Sequence, residues 1–157
     1  MVFRCLTVLL SLLLLPIISV SSHAPCLTTL PSNPQFVPPA PYPTDASDGF
    51  WYGSDVLWTR LPFRGDWATA GKMGQKLFVW SRGYDWRTAR QPQLIVTGKR
   101  LDGDAPPIAV AGGTNAGIGG MYAMLIMVHF PTGGCWELTA YHEGHALTFV
   151  VSVANGE

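Results

Sequence analysis

Little of this 157-residue chain is charged: Lys and Arg number 10, Asp and Glu 10, and together they make up 13% of the sequence. The charges are also scattered, with Arg60, Arg64, Lys72, Lys76, Arg82, Arg87 and Arg90 interleaved among Asp55, Asp66 and Asp85. No single-sign run builds the patch that nucleic acid or an anionic membrane requires, so neither is expected as a partner. No Gly-x-Ser-x-Gly elbow is present, and the glycine-rich stretch 112–120 lacks the Lys-Ser/Thr ending of a phosphate-cradling loop. Asp102-Gly103-Asp104 has neither the alternating carboxylates nor the closing Glu of a calcium loop, and reads as a turn. The longest apolar run, residues 6–20, falls short of the ~20 residues that a spanning helix needs.

That run is of signal-peptide length instead. A short start carrying Arg4 precedes it, and Val20-Ser21-Ser22 follows as a small-x-small site, which predicts a leader at residues 1–22, an exported (periplasmic or extracellular) mature chain, and no transmembrane span after cleavage. A signal anchor is the competing reading. Lipid attachment at Cys26 is opposed by His23, Ala24 and Pro25, which stand where a lipoprotein signal wants small and Leu-like residues. Cleavage would remove Cys5 and leave Cys26 and Cys135 as an even pair. In an oxidising compartment that pair is expected to form a disulfide, and closing so long a loop is worth about 4 to 5 kcal/mol in the chain-entropy account.

Prolines at 25, 31, 34, 38, 39, 41 and 43 forbid helix and disfavour a central strand, so residues 23–49 read as an extended arm. A plain linker tied down by Cys26 is the simpler role for it, and a polyproline ligand for another module is the alternative. Residues 50–157 then form the folded domain. Short apolar runs near 55–61, 75–81, 93–101, 107–111, 121–130, 135–142 and 145–153 are separated by glycine, proline and aspartate turns, which predicts about seven strands and no helical domain. Trp136, Leu138 and Ala140 alternate with Glu137, Thr139 and Tyr141, and Leu147, Phe149, Val151 and Val153 alternate with polar or smaller neighbours. That is the pattern of a half-buried hairpin, turned by Glu143-Gly144. Residues 121–130 suit a strand covered on both faces, with a buried helix as competitor. The fold expected is an all-β, immunoglobulin-like antiparallel β-sandwich; a half-open barrel is the alternative.

Tyr52-Gly53, Leu57-Trp58, the stretch 94–102 (Leu-Ile-Val-Thr-Gly-Lys-Arg-Leu-Asp), Ala105-Pro106-Pro107 and 130–140 (Phe-Pro-Thr-Gly-Gly-Cys-Trp-Glu-Leu-Thr-Ala) together resemble a family of secreted bacterial proteins of uncharacterised activity with a Gly-Cys-Trp-Glu hairpin near the C-terminus. The resemblance covers most of the mature chain and is densest in its last third. It implies the early cysteine matched by Cys26, a bacterial origin and an extracytoplasmic location. It transfers no activity.

Two groups of residues invite a functional role. His142 and His145 flank the hairpin turn, and cleavage after Ser22 would make His23 an amino-terminal histidine; together these could hold copper, since amine and imidazole nitrogens suit Cu(II). A polar hairpin tip needing no cofactor is the simpler reading. His129, at the end of an apolar strand, gets no role. In the middle of the chain Phe50, Trp51, Tyr52, Trp58, Trp67, Trp80, Tyr84 and Trp86 crowd together, and Gly83-Tyr84-Asp85-Trp86-Arg87 reads as a loop setting two large aromatics beside charges. Tyr84 and Trp86 are therefore the candidate contacts for a protein or glycan partner. The function expected is a non-catalytic binding or accessory module of the envelope or medium, with an exported copper-binding protein as the alternative.

Overall fold

The computed structural model describes residues 25–44, 46, 48–64, 66–70, 74–118 and 121–156, so the leader at 1–22 and His23 lie outside the described residues. Among those described no helix forms, and none is long and apolar enough to cross a membrane. Nine strands do form: β1 (Gly49–Gly53), β2 (Leu57–Pro62), β3 (Asp66–Thr69), β4 (Gln75–Ser81), β5 (Ile95–Arg100), β6 (Ala109–Ile118), β7 (Met121–His129), β8 (Gly134–His142) and β9 (His145–Ala154). They make a five-stranded sheet in the order β1-β2-β4-β7-β6 and a four-stranded sheet in the order β3-β9-β8-β5. Taking β2, β4, β5, β6, β7, β8 and β9 in chain order as strands A to G gives A-B-E-D on one sheet and G-F-C on the other, the immunoglobulin connectivity. The sandwich is therefore as expected, with β1 and β3 as additions.

Both additions escape a reading by local pattern for physical reasons. β1 is apolar on both faces and follows the prolines without a break in composition. β3 pairs in parallel with β9, a contact spanning more than eighty residues, and only four residues long it has little pattern of its own. A third difference concerns residues 112–118, which lie outside the strands expected from the sequence. They continue β6, paired residue by residue with β7 as far as Ile118 opposite Met121. Glycine is tolerated because β6 is an edge strand, and Gly112 at φ 60° absorbs the register shift between Ala111 and Gly113.

Between the sheets the inward positions close one core, with Phe50, Leu57, Leu77, Val79, Met124, Val128, Trp136, Leu138, Phe149 and Val151 almost wholly buried. Each such side chain contributes about 1.5 to 3 kcal/mol by leaving water. The β8–β9 hairpin pairs through its full length, from Gly134 opposite Val153 to His142 opposite His145.

The arm is packed, not trailing. Cys26 is bonded to Cys135 with their Cα atoms 5.3 Å apart, joining positions 109 residues apart. Unlike the usual sandwich bridge between strands B and F, this one ties strand F to a segment outside both sheets. Thr29 then exchanges two hydrogen bonds with Val150 of β9: its N–H donates to the Val150 carbonyl at 2.9 Å, and the Val150 N–H donates to its Oγ1 at 2.8 Å. Further on, Phe36, Tyr42 and Ala46 reach the outer face of the five-stranded sheet and pack on Trp51, Trp58, Trp80 and Ala123. The Tyr42 ring meets Trp58 edge-on at 5.1 Å. A linker held only by its cysteine is thus not what forms; without the arm these indoles would have no cover.

At the end of the sandwich where the bridge sits, Arg100 donates to Asp102 at 2.7 Å, and the Trp136 indole donates to the Thr132 carbonyl at 3.1 Å. The hydrogen bond from Arg100, aided by the Cys135 backbone N–H, holds the Asp102 carboxyl below its ordinary pKa.

Candidate functional site

The β1–β2 turn, the long β4–β5 loop and the β8–β9 turn all lie at the other end. Residues 82–94 are held there by their own chemistry. The Asp85 carboxylate accepts the Arg87 N–H at 3.0 Å, and the Asp85 carbonyl accepts the Ala89 N–H at 2.9 Å. Arg82 is paired with Asp55 of the β1–β2 turn. The Tyr84 hydroxyl donates to the Ala89 carbonyl at 3.2 Å, and its ring packs against the core. Burial raises the Tyr84 pKa, an Asn115 hydrogen bond opposes the shift and nearby Asp85 adds to it.

Trp86 has a different setting. Its ring stacks on Tyr122 of β7 with centroids 3.8 Å apart and planes 16° from parallel. The Arg87 guanidinium lies over the ring at 4.8 Å, and the Asn115 side chain donates to the Trp86 carbonyl at 3.3 Å. With Tyr122 on one face and Arg87 over the ring, the indole offers its edge to solvent, not a free face on which a sugar could stack.

The hairpin tip meets this loop. His142, 5% exposed, turns inward, with Nδ1 3.4 Å from the Gln93 carbonyl and its ring edge-on to Tyr84. Its Nε2 is buried without a hydrogen-bond partner among the described residues, and the Glu143 carboxylate is 3.8 Å away. Glu143 has φ 47° and Gly144 φ 80°, as a tight two-residue turn demands at both central positions. Glycine meets that demand without strain and glutamate does not, so the tip stores about 1 kcal/mol at Glu143.

Adjoining the tip on the outer face of the four-stranded sheet is a feature that local sequence pattern does not single out. Ile95 of β5 and Tyr141 of β8 are register partners, so their side chains stand together facing solvent, 61% and 43% exposed. Tyr141 also faces Ala146 of β9. The signal was present in the hairpin alternation, where Tyr141 is the one large aromatic on the polar side. Its pairing with Ile95 depends on a register that no local pattern reports.

The structure thus brings Tyr84, Trp86 and His142 to one end of the molecule. His142 and His145 are register partners across the turn, the first buried and the second exposed. Among the described residues no group of three His, Cys, Asp or Glu side chains is placed to hold a metal. His129 lies half-buried on the outer face of β7. Comparison with models of known families, with curated proteins and with solved structures finds no match for this chain.

Proposed function

We propose that this chain is an exported, non-catalytic binding module that engages a protein partner through its loop end and the adjoining Ile95–Tyr141 face. The observation that carries this reading is that pair: two large apolar side chains set side by side toward water, beside Thr97, Thr139 and Ala146. Aromatic and aliphatic anchors beside arginine are the composition that interfaces favour. Two further points support it. In variable-type immunoglobulin domains the loops between strands B and C and between F and G serve recognition, and here residues 82–94 and 143–144 occupy those places, an argument from fold analogy. The covered faces of Trp86 favour a protein over a stacked glycan. Export is supported by the leader pattern and by a disulfide that belongs to an oxidising compartment.

A photo-crosslinking residue placed at Tyr141 of the exported protein, with one at Asn155 at the far end as control, tests the reading. The expected result is a discrete adduct from position 141 alone that Ile95→Lys abolishes. Absence of an adduct at 141, or the same adducts from both positions, would overturn it.

A further inference from the structure

The outer face of the five-stranded sheet carries a second aromatic surface, remote from Ile95 and Tyr141. Trp51, Trp58 and Trp80 stand on neighbouring strands, with Trp58 directly opposite Trp80 and Trp51 opposite Arg60. Trp51 and Trp80 meet edge to face at 5.1 Å, and Phe78 tilts against Trp80 at 6.5 Å. All three indoles are buried, yet none of their N–H groups meets an acceptor among the described residues. Trp136, by contrast, has its indole N–H satisfied by the Thr132 carbonyl. Three unpaired donors in one aromatic trough are what a general packing role does not require, because an all-carbon ring would fill the same space without them.

What covers the trough is itself informative. Pro38 of the arm is buried, Phe36 and Tyr42 are partly buried, and prolines stand at 34, 38, 39, 41 and 43. Proline has no N–H, so such a segment offers more backbone acceptors than donors; the arm turns at residues 40–42, where the Tyr42 N–H donates to the Pro39 carbonyl at 3.2 Å. Aromatic-lined grooves with hydrogen-bond donors at the ring edges are the general means of holding segments of this kind. The face also continues past the arm: Phe78 lines a cleft of about 240 Å³ that Arg60 and Lys76 share.

We infer that this Trp face is a binding site for proline-rich peptide segments, and that residues 36–44 together with Ala46 are its resident occupant, bound in cis. Donors on the face and acceptors on the ligand are complementary in kind. The resident arm leaves the three N–H groups unpaired, so a segment that sets its carbonyls against them binds the face more tightly, contact for contact, than the arm does. Tethering offsets this, because a segment in the same chain acts at millimolar effective concentration. The arm consequently masks the site until its own hold is weakened.

The test uses the full mature chain carrying Phe36→Ser and Tyr42→Ser, titrated with a synthetic peptide of residues 33–44. Saturable movement of the Trp51, Trp58 and Trp80 indole N–H resonances at micromolar peptide is expected. Affinity for the unsubstituted chain should be at least about tenfold lower, because the tethered arm competes. A peptide with serine at positions 38, 39 and 41 should bind neither. Failure of the resonances to saturate by millimolar peptide, or an equal response to the serine peptide, would overturn the inference. Should the double substitution fail to fold by far-ultraviolet circular dichroism, Pro38→Ala takes its place, with the same resonances followed and the same two outcomes counting against the site.

Discussion

On the five-stranded sheet the outward side chains include Trp51, Trp58, Phe78, Trp80, Ala123 and Leu125, and the arm lies over the first part of this face. On the four-stranded sheet the outward positions are mostly polar, among them Thr97, Lys99, Glu137, Thr139 and Thr148, exposed or half-buried, with the exposed Ile95–Tyr141 pair and the arm-contacted Cys135 and Val150 as exceptions. Both sheets share the same inner core and the same two-residue alternation. They differ in what the second half of the alternation carries. A sheet that is apolar on both faces must be covered twice, whereas one with a polar outer face needs only its partner sheet. The arm is the second cover, and the disulfide holds it in place.

Substitutions on the two faces separate these roles. Trp58→Ala should destabilise the protein by about 3 to 5 kcal/mol in denaturant unfolding, whereas Thr139→Ala, which removes one exposed bond to Thr148, should cost no more than about 1 kcal/mol. Equal losses would break the contrast. Cys26→Ser should cost about 4 to 5 kcal/mol and shift tryptophan emission to the red, as the arm loosens from Trp58 and Trp80; a loss of stability with unchanged emission would mean that the arm holds the indoles without its bridge. Acid should act at the same anchor. Asp102 has a folded-state pKa below its unfolded value, so its contribution is complete above the ordinary carboxylate range and is lost as pH falls through the lowered pKa. Asp102→Asn should flatten the acid limb of the stability profile, and an unchanged limb would remove Asp102 from the anchor. Glu143→Gly should stabilise the hairpin by about 0.5 to 1 kcal/mol by relieving the left-handed backbone. Smallest of all, Tyr141→Thr should alter stability by less than about 0.5 kcal/mol. With the crosslinking residue moved to position 95, the same substitution should abolish the adduct, a loss of binding without a loss of fold that a structural tyrosine would not give.

Much of the fold was legible because its signals are local. Residues 135–142 and 145–153 alternate so regularly that strands, facing and turn all follow, and the structure returns β8, β9 and the tight turn at 143–144. Cysteine parity leads to the bond that forms. The candidate site was half legible. Tyr84 and Trp86 follow from loop composition, but the stacking of Trp86 on Tyr122 joins a loop to a distant strand and leaves no trace in either segment. Glu143 gives no warning of its positive φ, since glutamate is an unusual choice there.

Sequence alone determined the period-two strands, the breakers between them, the paired cysteines and a proline density that forbids helix. Each of these acts within a few residues or through covalent chemistry. Tertiary structure decided which apolar face needed the arm, that a glycine-rich stretch became the edge strand β6, that β3 joined β9 in parallel, and that Ile95 and Tyr141 came to stand together. Those outcomes depend on register and on contacts between distant segments, where burial and pairing override local preference.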